Sequence, residues 1–182
     1  KGYFTLLYDF LVGANADGSL STTNGAAEKW EVSADSMTWT FWLRRGITFH
    51  NGTELSAEDV KWSLEMVTKP ESIAAFAARL RSTIKEIEVP DPHTLIIRTH
   101  KPDLWLAQDL SMAAGCEGAI LPKKYFEQVG ADGFAAKAIG RFPRASTSSI
   151  GSIRRAATTY PWASTTRMPA TAFCRILSDQ VV

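Results

Sequence analysis

Ser36-Met37-Thr38-Trp39-Thr40-Phe41-Trp42-Leu43-Arg44-Arg45-Gly46-Ile47-Thr48-Phe49-His50-Asn51-Gly52-Thr53-Glu54-Leu55-Ser56-Ala57-Glu58-Asp59-Val60 switches from a two-residue to a helical period. Met37, Trp39, Phe41 and Leu43 alternate with Thr38, Thr40 and Trp42, the pattern of a strand with one buried face. Aromatic and β-branched side chains suit a pleated, half-buried surface. Trp42, on the other face, can cover a second layer. Arg45-Gly46 supplies a turn, Ile47-Thr48-Phe49 predicts a short second strand, and Asn51-Gly52 is a strong turn dipeptide. At Ser56 a helix begins: its hydroxyl can accept from the amide three residues on, and Glu58 and Asp59 suit the positive helix end. Val60, Leu64 and Val67, flanked by Trp62 and Met66, give that helix a buried face.

The elements on either side follow from the same signals. Pro70 ends the helix, and Ile73, Phe76, Ala77 and Leu80 predict a second one. Ile84-Lys85-Glu86-Ile87-Glu88-Val89 and Thr94-Leu95-Ile96-Ile97-Arg98 flank Pro90-Asp91-Pro92-His93, which predicts a hairpin. Pro102-Asp103 opens a helix along Leu104, Ala107 and Leu110, and Pro122 opens a last short one through Val129. The fold class is α+β.

With 182 residues and 20.0 kDa the chain is long enough for one ordinary domain or two small ones. Its 20 Lys and Arg against 19 Asp and Glu leave a net charge of +1, so no global field draws it to nucleic acid or to an anionic membrane. No apolar run approaches the roughly 18 residues that cross a bilayer. Cys116 and Cys174 are too few for a metal cluster or a disulfide scaffold. The chain opens on Lys1, and Gly2-Tyr3-Phe4-Thr5-Leu6-Leu7-Tyr8 has neither the basic region nor the cleavage site of a signal peptide. The expectation is that an upstream segment has been removed or that the sequence is a fragment.

Charge divides the chain near Gly140. Residues 1–140 hold 14 basic and 18 acidic side chains, whereas residues 141–182 hold 6 Arg and a single acid, Asp179. Between Arg141 and Ala172, 20 of 32 residues are Ala, Ser, Thr or Pro, without helical or strand periodicity. The expected units are therefore 1–140, an irregular segment 141–172, and a returning strand 173–182.

The order of elements resembles a known family. Ala27 to Phe41 and Leu43 to Val60 look like the signature of the family 5 extracellular solute-binding proteins, which serve peptide, nickel and related ABC importers. The resemblance extends to Leu7-Tyr8-Asp9-Phe10-Leu11-Val12, Val89-Pro90-Asp91-Pro92-His93-Thr94-Leu95, Ile120-Leu121-Pro122-Lys123 and Ala138-Ile139-Gly140. It implies part of the first lobe, with its extra subdomain, of a class II (cluster C) periplasmic-binding-protein-like fold. It further implies a monomer that is not an enzyme, has no cofactor, and is periplasmic or extracellular, associated with the outer face of the cytoplasmic membrane. Its partners would be a peptide or other small solute and ABC importer permease subunits, with no nucleic acid. After Gly140 the family's Thr-Gly-Pro-Tyr-like turn and strand are replaced by Arg141-Phe142-Pro143-Arg144, and family-like text resumes at Phe173. That departure predicts a shifted reading frame over 141–172. The alternative function is thus a non-functional truncated or frame-shifted remnant of such a protein.

Candidate chemistry is sparse. His50 precedes a turn, where a structural hydrogen bond explains it. His93 and His100 flank one strand seven residues apart, on opposite faces, which disfavours a shared metal. No Gly-x-Ser-x-Gly elbow is present, and Cys116 in Gly115-Cys116-Glu117-Gly118 reads as a small-residue crossing before it reads as a nucleophile. Glu58 and Asp59 serve a helix start, and Glu86 and Glu88 lie on the polar side of a strand. The tryptophans read mostly as core, and the tail arginines lack the aromatic interleaving of a nucleic-acid site. By analogy of position with the family, the solute-facing segment is Met112 to Gly118, with Met112, Glu117 and Gly118 as ligand-binding residues. Small residues there let backbone groups approach a solute.

Overall fold

A computed structural model describes residues 8–72 and 74–136. Ile73, Ala138-Ile139-Gly140, the segment 141–172 and the strand expected over 173–182 lie outside the described residues.

The alternating stretch forms the centre of a four-stranded antiparallel sheet. Strands β1 (Gly13–Ala14) and β2 (Leu20–Ser21) make a small separate ribbon. The main sheet contains β3 (Ala27–Val32), β4 (Thr38–Leu43), β5 (Ile84–Asp91) and β6 (Thr94–Thr99) in the order β3-β4-β6-β5. Register sets the faces, because directly paired residues share one side. Val32, Trp39, Ile97 and Ile87 form one inner row, and Trp30, Phe41 and Leu95 another. Glu31, Thr40, Ile96 and Glu88 lie on the outer face, as do Lys29, Trp42 and Thr94. Trp39, Phe41, Leu43, Leu95 and Ile97 are buried, as the alternation predicts. Trp42 is half-buried on the outer face, with the Lys29 ammonium 4.8 Å from its ring centroid.

Helix α1 (Ala57–Val67) lies over β5 and β6 and supplies Val60, Leu64 and Val67 to the core. Ser56 caps it in a capping box. The Asp59 carboxylate accepts from the Ser56 amide (3.0 Å) and hydroxyl (2.7 Å). Helix α2 (Ala77–Thr83) leads directly into β5, and the Pro/Asp turn closes the hairpin as expected. There the Asp91 carboxylate is held below its usual range by the Thr94 side-chain hydrogen bond and then by the His93 amide. Helix α3 is one short turn (Leu106–Asp109). Helix α4 (Lys123–Ala136) breaks at Gly130, whose φ of 69° is left-handed.

Three sequence expectations need correction. Ile47-Thr48-Phe49 is not a strand: only Thr48 bridges, to Glu54, because the turn at Asn51-Gly52 closes within five residues of it. The helix expected from Pro102 starts at Leu106, because Asp103 uses its carboxylate in long-range bonds and in an Asx turn to the Trp105 amide (2.7 Å). Trp105 is therefore exposed, not core.

Candidate functional site

Residues 9–12 form the spine on which the Met112–Gly118 loop rests. The Ala26 and Ala27 amides donate to the Phe10 and Leu11 carbonyls, each at 2.9 Å. On the other side the Leu11 amide donates to Gly118 O (2.9 Å), Ile120 to Asp9 O (2.9 Å) and Met112 to Val12 O (3.3 Å). Isolated bridges pair Phe10 with Ala119 and Val12 with Ser111. Such close crossings need glycine. A Cβ on Gly118 would stand 2.0 Å from the Leu110 carbonyl oxygen, and one on Gly13 would stand 2.6 Å from the Gly25 nitrogen.

The loop is tied to α1 as well. The Ser63 hydroxyl donates to Asp59 O (2.6 Å) and accepts from the Leu121 amide (2.9 Å), while Asp59 Oδ1 accepts from the Lys123 amide (3.0 Å). One buried carboxylate thus serves the first turns of α1 and α4, where unpaired amides collect.

The three residues expected to meet solute share this loop in different ways. Met112 is half-buried and packs against the core. Gly118 is buried and acts through its backbone. Glu117 is 0% exposed. Its Oε1 accepts from the Phe76 amide (3.0 Å) and its Oε2 from the Cys116 amide (2.8 Å). Gly115 leaves the room this requires, since a Cβ there would stand 2.1 Å from Oε2. In this geometry the carboxylate braces the loop against the start of α2.

The Cys116 thiol is pushed up to about 11, first by burial and then by the neighbouring Glu117 charge. It is protonated at neutral pH and is not an activated nucleophile. His93 sits at the turn and His100 beyond the far end of β6, about 20 Å away at the usual strand rise. Among the described residues no group of three His, Cys, Asp or Glu side chains is placed to hold a metal ion. No helix among them is long and apolar enough to cross a membrane.

A second feature was not evident from sequence periodicity. Arg79 on α2 donates from Nε to Asp109 Oδ2 (2.6 Å) and from Nη2 to Asp103 Oδ2 (3.1 Å). The hydrogen bond to Asp109 is the chief reason that the guanidinium pKa is raised. Beside this ion network a groove of about 370 Å³ is lined by Ser36, Arg79, Pro102, Asp103, Leu104 and Trp105.

Comparison with known proteins gives a consistent picture. Residues 22–140 match the bacterial extracellular solute-binding proteins, family 5, middle region. Di/tripeptide-binding protein 2 of Pseudomonas aeruginosa is 34% identical over 143 residues, covering 70% of this chain and 26% of that protein. The AgaA binding protein of A. tumefacien R10, solved with agropinic acid, superposes with a TM-score of 0.68 at 33% identity, covering 78% of this chain and 27% of its own. The periplasmic binding protein DppA of Helicobacter pylori, solved with the peptide STSA, superposes at 0.64 with 25% identity, covering 76% and 30%. The chain thus spans about a quarter of the length of the relatives it matches, and its mixed sheet-and-helix fold is part of a periplasmic-binding-protein lobe.

Proposed function

Since the chain belongs to the bacterial extracellular solute-binding proteins of family 5, we propose that it captures a dipeptide or oligopeptide for an ABC importer. In this reading it acts without catalysis or cofactor, as a monomer, in the periplasm or outside the cell, associated with the outer face of the cytoplasmic membrane. It delivers cargo to the importer's permease subunits. The family match carries this reading, because it runs through the sheet, α1 and the whole 112–118 loop. The di/tripeptide-binding protein of P. aeruginosa and the peptide-bound DppA of H. pylori favour a peptide over other solutes.

Met112 and the backbone around Glu117 and Gly118 form the solute-facing edge, with Glu117 holding the loop from behind. In hinge-closing binders the grip is divided between two lobes, so one lobe alone holds cargo less tightly. Isothermal titration of the chain with mixed di- and tripeptides is expected to give saturable heat at micromolar peptide. Absence of heat up to millimolar peptide refutes the reading. That result favours a non-functional remnant, to which one observation already leans: the family match stops at Gly140, where the acid-poor composition begins.

A further inference from the structure

Two Asn-Gly dipeptides occur in the chain, Asn24-Gly25 and Asn51-Gly52. A glycine nitrogen is unobstructed, because no Cβ shields it. It can add to the side-chain amide carbon of the preceding asparagine and close a five-membered ring. The covalent chemistry open to the two dipeptides is the same, so the fold decides between them.

Asn51-Gly52 lies at an exposed loop tip. The Gly52 amide donates to Phe49 O (2.9 Å) and the Phe49 amide to Thr53 O (2.8 Å). Gly52 has a φ of 83° and open space where a Cβ would stand. Asn51 Oδ1 accepts from the Thr53 amide (3.1 Å) and hydroxyl (2.7 Å). A backbone amide can only donate, so the side-chain oxygen, not its nitrogen, faces Thr53. Two donors on that oxygen draw electrons from Cγ and stabilise the charge that develops when a nitrogen adds there. The Gly52 amide must first leave Phe49 O, and loop tips open at small cost.

Asn24-Gly25 is held differently. Asn24 is exposed, but Gly25 is buried, and a Cβ on it would stand 2.3 Å from the Gly13 nitrogen. The next two amides, of Ala26 and Ala27, are bonded to the Phe10 and Leu11 carbonyls. Asn24 Nδ2, the group that would leave, donates to Ala14 O (3.3 Å). Turning the Gly25 peptide for attack means parting this segment from the 9–12 spine, which takes more than the opening of a loop.

We propose that Asn51 is a site of spontaneous, enzyme-free deamidation in the folded chain and that Asn24 is protected from it. The Gly52 nitrogen gives up its proton and bonds to Asn51 Cγ, the Cγ–Nδ2 bond breaks, and ammonia leaves with that proton. Water then opens the succinimide at either carbonyl. The product is aspartate or its β-linked isomer, with one negative charge more than asparagine. The inference stands apart from the peptide-binding reading.

The test keeps the full chain in neutral buffer, folded and, in parallel, unfolded in guanidinium chloride. Trypsin releases Asn51 in the peptide Gly46–Lys61 and Asn24 in Gly2–Lys29. Fragment mass spectrometry then follows the amide-to-acid mass gain at each asparagine. In the folded chain Asn51 is expected to convert at least about tenfold faster than Asn24, a ratio set by their different costs of local opening. In guanidinium chloride the two rates are expected to converge. Equal rates in the folded chain, faster conversion at Asn24, or no conversion at Asn51 overturns the proposal. Rates that stay equally far apart in guanidinium chloride overturn it too, because neighbouring sequence rather than the fold would then set the difference.

Discussion

Gly118→Ala is expected to lower the melting temperature by roughly 10 °C, an effect on the scale of several kcal/mol for a chain of this size. The added methyl would stand 2.0 Å from the Leu110 oxygen and 2.5 Å from its carbon. Those are backbone atoms, so no side chain can swing aside to relieve the clash. Moving residue 118 away strains its bond to the Leu11 amide, and moving Leu110 strains its bond from the Val12 amide. Both bonds hold the loop to the spine. Gly46→Ala is the control. Its φ of 70° costs about 1 kcal/mol in an alanine, but nothing lies within 4 Å of the new Cβ. Thermal unfolding followed by circular dichroism compares the two. If Gly118→Ala melts within about 3 °C of Gly46→Ala, the close crossing of loop and spine is wrong.

Asp59→Ala is expected to cost about 3 kcal/mol in urea unfolding, and Asp59→Asn about half of that. The carboxylate is buried and takes three hydrogen bonds, from the Ser56 amide and hydroxyl and from the Lys123 amide. Alanine leaves two amides at helix starts without a partner, where desolvation is not repaid. Asparagine keeps one acceptor oxygen but turns its NH2 group toward a donor. A loss below about 1 kcal/mol for alanine, the usual size of an N-cap substitution alone, would show that the tie to α4 contributes nothing. Ser63, which joins Leu121 to the Asp59 carbonyl, belongs to the same tie.

What could be read ahead of the structure was local. The strand around Phe41, the cap at Ser56 and the hairpin about Asp91 each declare themselves within ten residues, through period, cap and turn chemistry. β3 declares itself poorly. Glu28, Lys29 and Glu31 crowd an edge strand with charge, which protects the edge but erases the alternation. Distance in sequence hid the remainder. Glu117 reaches Phe76 across 41 residues, and Trp39 reaches Asp103 across 64. Neither contact has a periodic signature, so the tie of Glu117 to Phe76 was not legible, and Trp105, which is exposed, read as core. The glycines at 115 and 118 were legible as permissive positions. That one admits a carboxylate and the other a carbonyl was decided by the fold.

Amide chemical-shift mapping of the 15N-labelled chain with Ala-Phe-Ala tests most directly whether this lobe meets its solute through the 112–118 loop. Shifts are predicted at Met112 to Gly118 and at Phe76, whose amide Glu117 holds, growing to saturation with peptide. Shifts confined to the outer sheet face at Lys29, Trp42 and Thr94, with the loop unmoved, would contradict it.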